Sequence, residues 1–216
     1  MTECRLVLAQ AAEDAEARIG AARAAHLALI APMAAAGELI AGVPLLGAEG
    51  AYGGSLMLVM PEALERYLDA EPFRREGIWR SHAVHAFRLA PLPYRPLPTG
   101  PAPSHPTHTI AIAWDGRDAG AEARRLAARE AHFARVRPAA LDGTLALGGA
   151  ILDAPGGRMV GSVAITAHPA AEAARAWWAE DPYVREGVWR EVSWHATRFA
   201  PLPWRPLPGT SQAGAG

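Results

Sequence analysis

Residues 71–98 are written again at 181–208, with 17 of the 28 positions identical at an offset of 110. The shared residues include Arg75/Arg185, Glu76/Glu186, Gly77/Gly187, Trp79/Trp189 and His85/His195, and "PLPYRPLP" closes one copy as "PLPWRPLP" closes the other. Further upstream the offset is 106: Arg23, His26, Pro32, Gly37, Leu39 and Gly42 match Arg129, His132, Pro138, Gly143, Leu145 and Gly148. Gly54-Ser55 matches Gly161-Ser162 at an offset of 107. A long internal repeat constrains the fold more than composition does, because each copy must be a supersecondary unit able to pack on its twin. The reading is one unit over 1–98, a linker over 99–107, a second unit over 108–208 and a flexible tail over 209–216. The linker stretch "TGPAPSHPTH" is rich in Pro, Ser and Thr.

Within one copy the pattern predicts β-α-β-β-α-β. "RLVLA" (5–9) and "HTIAIAW" (108–114) are short apolar runs that read as strands. Residues 15–36 and 120–142 are rich in Ala, Glu and Arg, which are strong helix formers. Ile19, Ala22, His26, Ile30 and Met33 give one apolar face at helical spacing. Gly37 and Gly143 stand where a C-cap glycine belongs. Pro32 and Pro138 fall inside the pattern and predict a kink or break. Strands are expected over 38–45, 55–60, 144–152 and 162–167. Second helices follow over 61–70 and 169–180, each opened by proline. "GIWRSHAVHAFRL" and "GVWREVSWHATRF" alternate and read as final strands. The fold class is α+β: two tandem ferredoxin-like βαββαβ units, each with an antiparallel sheet covered on one face. The bare faces must find each other, so an intrachain pseudo-dimer is expected, with sheets stacked or continued into an α+β barrel.

Half of the residues are hydrophobic, enough for globular cores. The formal net charge is −1 and every basic residue is arginine, so a nucleic-acid surface is not expected. The single cysteine, Cys4, excludes an intrachain disulfide. No apolar run approaches the roughly 20 residues of a membrane span, and Glu3 and Arg5 interrupt anything like a signal h-region. The expectation is a soluble cytoplasmic protein with no membrane partner. Whether the duplicated chain pairs again into a further homodimer stays open.

"RAAHLALIAPMAAAGELIAGVPL", "GGSLMLV" and "AEPFRREGIW", and in the second copy "REAHFARVRPAALDGTLALGGAI", "GSVAIT" and "WWAEDPYVREGVW", resemble the YCII-related domain family. The resemblance covers both copies. It implies a dimeric α+β barrel related to muconolactone isomerase. It also implies a His–Asp pair, with the histidine on the first helix and the aspartate in the DPY turn. Carried over, the pair is His132 with Asp181. In the first copy it is His26 with Glu71, a departure from the pattern that reads as a degenerate site. One branch of the family is a dehydrochlorinase of chlorinated hydroxyhydroquinones.

A carboxylate beside a histidine fixes the ring tautomer and raises its basicity, which suits proton transfer near neutral pH. His132 and Asp181, with His26 and Glu71, are therefore the candidate catalytic residues, acting without a cofactor on a small-molecule substrate. A helical histidine is also a common core residue, and Asp before proline commonly starts a turn. Ser55 and Ser162 could hydrogen-bond a ligand or close a hairpin. Gly42 and Gly148 could admit close backbone approach or mark a bulge. His85 and His195 could line a sheet cavity or serve cross-strand pairing. No metal site is expected: His82 and His85 point to opposite strand faces, and His105 and His108 flank linker prolines. The "PLPxRPLP" segments read as arms lying along the other copy. Two function classes fit: a lyase or isomerase on an aromatic or lactone-like molecule, or a non-catalytic binding or stress-associated module. Walker, dinucleotide and GxSxG motifs are absent.

Overall fold

The computed structural model describes residues 2–47 and 50–208; the tail expected over 209–216 lies outside them. The first half runs β1 (Glu3–Ala11), α1 (Ala15–Ala36), β2 (Leu39–Leu46), β3 (Tyr52–Val59), a 3-10 turn (Pro61–Ala63), α2 (Leu64–Ala70), α3 (Pro72–Arg75) and β4 (Trp79–Leu89). The second runs β5 (His108–Asp115), α4 (Ala121–Asp142), β6 (Leu145–Leu152), β7 (Met159–Thr166), α5 (Ala171–Ala179), α6 (Pro182–Arg185) and β8 (Trp189–Thr197). The strands close into one antiparallel barrel in the order β1-β3-β2-β8-β5-β7-β6-β4. The two units thus form an intrachain pseudo-dimer, and the alternative of merely stacked sheets does not occur.

Alternation along the strands divides the buried side chains into two sets. Cys4 and Leu6 join a core with Phe87, Ile110 and Ile112 that continues out under α4 to Val136 and Trp178. Val7 and Ala9 join Ile30, Met33 and Tyr67 beneath α1 and α2. Burial pushes the Cys4 thiol up to about 12. Both long helices end on a left-handed glycine, Gly37 at φ 79° and Gly143 at φ 90°.

Three expectations are corrected. Pro32 and Pro138 do not break α1 or α4. Each forfeits one backbone bond, while residues beyond it stay buried: Met33 and Ala34 in α1, Ala139 and Ala140 in α4. The acid-proline turns are short helices, capped by their own acids: Phe73 N donates to Glu71 Oε1 (3.0 Å) and Tyr183 N to Asp181 Oδ1 (2.9 Å). Helix α1 is, by length and composition, long and apolar enough to cross a membrane. Its alanine content produces that result, and its face of Ala22, His26, Ile30, Met33 and Ala34 is buried against the protein.

The halves meet at two unequal seams. β4 pairs with β6 from Ala86↔Leu152 to Leu89↔Gly149, whereas β2 pairs with β8 only at Leu46↔Ala196. Gly149 explains the closeness of the first seam. A Cβ there would stand 2.4 Å from the Phe87 ring and 2.5 Å from Arg88 O. The equivalent residue of the first half is Val43. Thr197 Oγ1 donates to Pro44 O (2.6 Å) and bridges the sparser seam.

The segments after β4 and β8 are extended arms, each docked on the opposite half. Tyr94 Oη donates to Gly148 O (2.8 Å) and accepts from Gly148 N (3.1 Å). Arg95 donates to Leu141 O (3.0 Å) near the end of α4, and Arg205 to Ala35 O (2.7 Å) near the end of α1.

Candidate active site

Each half holds a cavity between its long helix and its strands, roofed by the arm of the other half. The first, about 150 Å³, is lined by His26, Gly42, Tyr52, Ser55 and Phe73 of the first half and by Arg198, Phe199 and Ala200 of the second. The second, about 60 Å³, is lined by Arg125, His132, Gly148, Ser162, Tyr183 and Trp189, with Arg88 to Leu92 arriving from the first half. An apolar cavity near 150 Å³ accommodates a benzene ring; the second takes a smaller molecule or part of one.

The His–acid pairs form in both halves. His132 Nδ1 stands 2.9 and 3.1 Å from Asp181 Oδ1 and Oδ2. His26 Nδ1 stands 2.9 Å from Glu71 Oε1. Both acids are fully buried, and both histidines line their cavities. Each imidazole also lies flat on the aromatic residue after the acid-proline step. His132 stacks on Tyr183 at 3.8 Å and His26 on Phe73 at 4.2 Å. An ionised carboxylate only accepts, so Nδ1 carries the proton and Nε2 is the basic nitrogen. Among the described residues, no protein group bonds Nε2 of either ring.

The carboxylates are not equally supported. Asp181 Oδ1 accepts from Tyr183 N, both oxygens reach His132, and Arg135 Nε lies 3.8 Å from Oδ2. Glu71 places its bonds to His26 and Phe73 N on Oε1, and its neighbour on the other side is the buried Tyr67 hydroxyl, not an arginine. Leu29 stands where the second half has Arg135.

The serines are bound differently. Ser162 Oγ accepts from Arg125 Nη2 (2.6 Å) and Trp189 Nε1 (3.1 Å). Ser55 Oγ instead shares a 2.7 Å bond with the Tyr52 hydroxyl, which accepts from Trp79 Nε1 at 2.8 Å. Burial pushes the Tyr52 hydroxyl up to about 12, so it stays protonated. Gly42 and Gly148 line the cavities. Neither is itself a bulge: register shifts fall at Leu39/Ala41 and Leu145/Leu147. Gly148 instead receives the Tyr94 hydroxyl of the crossing arm. His85 and His195 are not brought to either cavity. They pair with Leu6 and Ile110 on the barrel-facing side, and His85 packs against Trp114 at 5.3 Å. Among the described residues, no group of three His, Cys, Asp or Glu side chains could hold a metal.

Sequence reasoning missed Arg125, Asp115, Tyr52 and the roofing role of the arms. Arg125 pairs with Asp115 at 2.6 Å, both nearly wholly buried. Burial raises the Asp115 carboxyl, against the pull of the guanidinium. The clue lay where the copies disagree: Ile19 occupies the position of Arg125, and Ala11 that of Asp115.

Residues 110–195 match the YCII-related domain. No curated protein matches the chain. Among solved structures, a putative monooxygenase from Lactobacillus acidophilus NCFM is 12% identical, with 92% of this chain and 93% of that one covered, at a TM-score of 0.56. A heme-binding protein from Thermus thermophilus is 12% identical, with 92% of each chain covered, also at 0.56. These likenesses show the α+β barrel fold over both halves. A 5-chloro-2-hydroxyhydroquinone dehydrochlorinase from Burkholderia phenoliruptrix AC1100, in complex with 2,5-dihydroxybenzoquinone, is 22% identical over 41% of this chain and 90% of its own, at a TM-score of 0.36.

Proposed function

We propose, starting from a second half that carries a YCII-related domain, that the protein is an acid/base enzyme in which His132 moves a proton on a small organic molecule. The carrying observation is the contact of His132 Nδ1 with both oxygens of the fully buried Asp181. Asp181 fixes the ring, and Nε2 is left as the base on the cavity side. Such a base takes a proton from a phenol or from carbon beside a carbonyl. Returned elsewhere, that proton completes an isomerisation. Where a neighbouring or conjugated carbon bears chlorine, the proton goes to His132, the pair it leaves behind forms the new C=C or C=O bond, and chloride leaves with the C–Cl pair, a net loss of HCl without redox change. Walls of Phe133, Trp178, Tyr183 and Trp189 suit the edge of a flat ring.

The His26–Glu71 site has the same contact but no arginine beside its acid, since Leu29 stands where the second half has Arg135, and it serves as the weaker site. The test offers chlorinated hydroxyhydroquinones and enol lactones, following chloride release and ring absorbance. His132→Ala should lower kcat by roughly two orders of magnitude or more, Asp181→Asn should lower it with little change in KM, and His26→Ala should cost less. Full turnover by His132→Ala would sink the reading.

A further inference from the structure

The second cavity is lined by three arginines, Arg88, Arg125 and Arg129, the first with its guanidinium held by Glu3, and by His132, with no aspartate or glutamate among its lining residues. The first offers Arg23, Arg198 and His26, but also Glu16. We propose that Arg125 makes the second cavity selective for small organic anions, carboxylates or phenolates, whose charged oxygen meets the edge of its guanidinium that Asp115 and Ser162 leave open, beside the Tyr183 hydroxyl. This names the substrate class of the proton-transfer site and rests on that reading of His132.

The guanidinium is fixed on two of its three nitrogens. Nε donates to Asp115 Oδ2, and Nη2 to Gly161 O and Ser162 Oγ, each at 2.6 Å. Beyond these bonds the guanidinium has the Tyr183 hydroxyl as a neighbour and hydrogen-bond partner, and the side chain, only 3% exposed, lines the cavity. The group also lies 4.7 Å from the centre of the Tyr183 ring, whose other partner is the His132 imidazole. An oxygen against that open edge therefore lies in the cavity that His132 lines. Asp115 balances the charge from outside the lining, so a ligand meets the cation and not the acid. Out of water, a charge-assisted bond to the remaining N–H groups is stronger than its exposed equivalent.

A purely structural role explains this arrangement poorly. A buried ion pair is often no more stabilising than apolar residues of similar volume. The first half shows the apolar solution in the same fold: Ile19 and Ala11 replace the pair, and Tyr52, at the position of Met159, supplies the partner of the serine. The guanidinium is thus dispensable to the barrel. A lysine would not substitute, because only the planar fork can hold Asp115 and Ser162 while keeping an edge for a ligand.

The experiment is calorimetric titration of the full chain with acetate and benzoate, and with acetamide and benzamide as uncharged isosteres. Ring resonances of His132, against those of His26, identify the cavity that fills. At the His132 site the wild type should prefer each carboxylate over its amide by roughly tenfold to a hundredfold. The triple variant Asp115→Ala/Arg125→Ile/Met159→Tyr gives the second half the set that the first half already carries, and it should lose that preference. If it does not fold, Asp115→Asn/Arg125→Gln removes both charges at similar volume and should lose it too. Equal affinity for acid and amide in the wild type, no binding of either carboxylate, or an undiminished preference in the folded variant overturns the proposal. Binding is read without turnover, so a loss of anion preference and a failure of His132 chemistry register separately.

Discussion

Asp181 and Glu71 differ by one methylene, yet each brings an oxygen to 2.9 Å from its histidine. Each also caps its short helix from the same carboxylate. The difference shows instead in what else stands by the carboxylate: the Tyr67 hydroxyl at Glu71, Arg135 at Asp181. The His–acid pairs were legible because both copies keep a histidine on the first helix and an acid before proline. Arg125 was not, because its charge appears in one copy alone and its partner lies ten residues upstream on a strand. Its removal has a stability signature. Arg125→Met would leave Asp115 buried without its counter-charge, at a cost of about 3–5 kcal/mol. The paired change Asp115→Ala/Arg125→Ile should recover most of that in urea unfolding, because neither charge is then stranded. A single variant as stable as the wild type would show that Asp115 needs no cation.

Helix and strand identities followed from periodicity, and both C-cap glycines stand as expected. Neither proline breaks its helix, because a local breaker signal carries no information about how much apolar face lies on its far side. Which strands would meet across the duplication was also hidden, since seam pairing depends on neighbours about sixty residues away. Gly149 is the element-level determinant. β4 and β6 approach through the space a side chain would fill, and β2, with Val43 at the matching position, touches β8 at one pair. Gly149→Val should therefore cost about 1–3 kcal/mol by overpacking, with faster amide exchange along Ala86–Leu89. Val43→Gly, at the sparser seam, should not produce that local change. Equal exchange in the two variants would count against the seam argument.

The closed barrel gives the whole molecule an acid limit. Burial lowers the pKa of His85, His108 and His195, with His168 adding to the effect at His108. The unfolded chain then binds more protons than the folded one just below pH ~6.5, so stability rises with pH there. It is complete above about pH 6.5 and declines as the pH falls toward the depressed folded values. Glu3, Asp142 and Asp153 are held below their ordinary range, so their loss comes at lower pH, beneath about 4. Urea midpoints should fall between about pH 7 and 5; a flat profile over that window would contradict the histidine argument. The duplication itself was the most legible property, and barrel closure followed from it. What it leaves behind is freedom from twofold symmetry. In a barrel assembled from two separate identical chains, every substitution is imposed on both cavities at once. Here an arginine can enter one without entering the other, and an aspartate can lengthen to glutamate on one side alone. Because each roof belongs to the opposite half, a mutation in Phe199 or Ala200 is inherited with one set of catalytic groups and felt by the other. One chain can in this way offer two ligand preferences side by side, each built from residues of both halves.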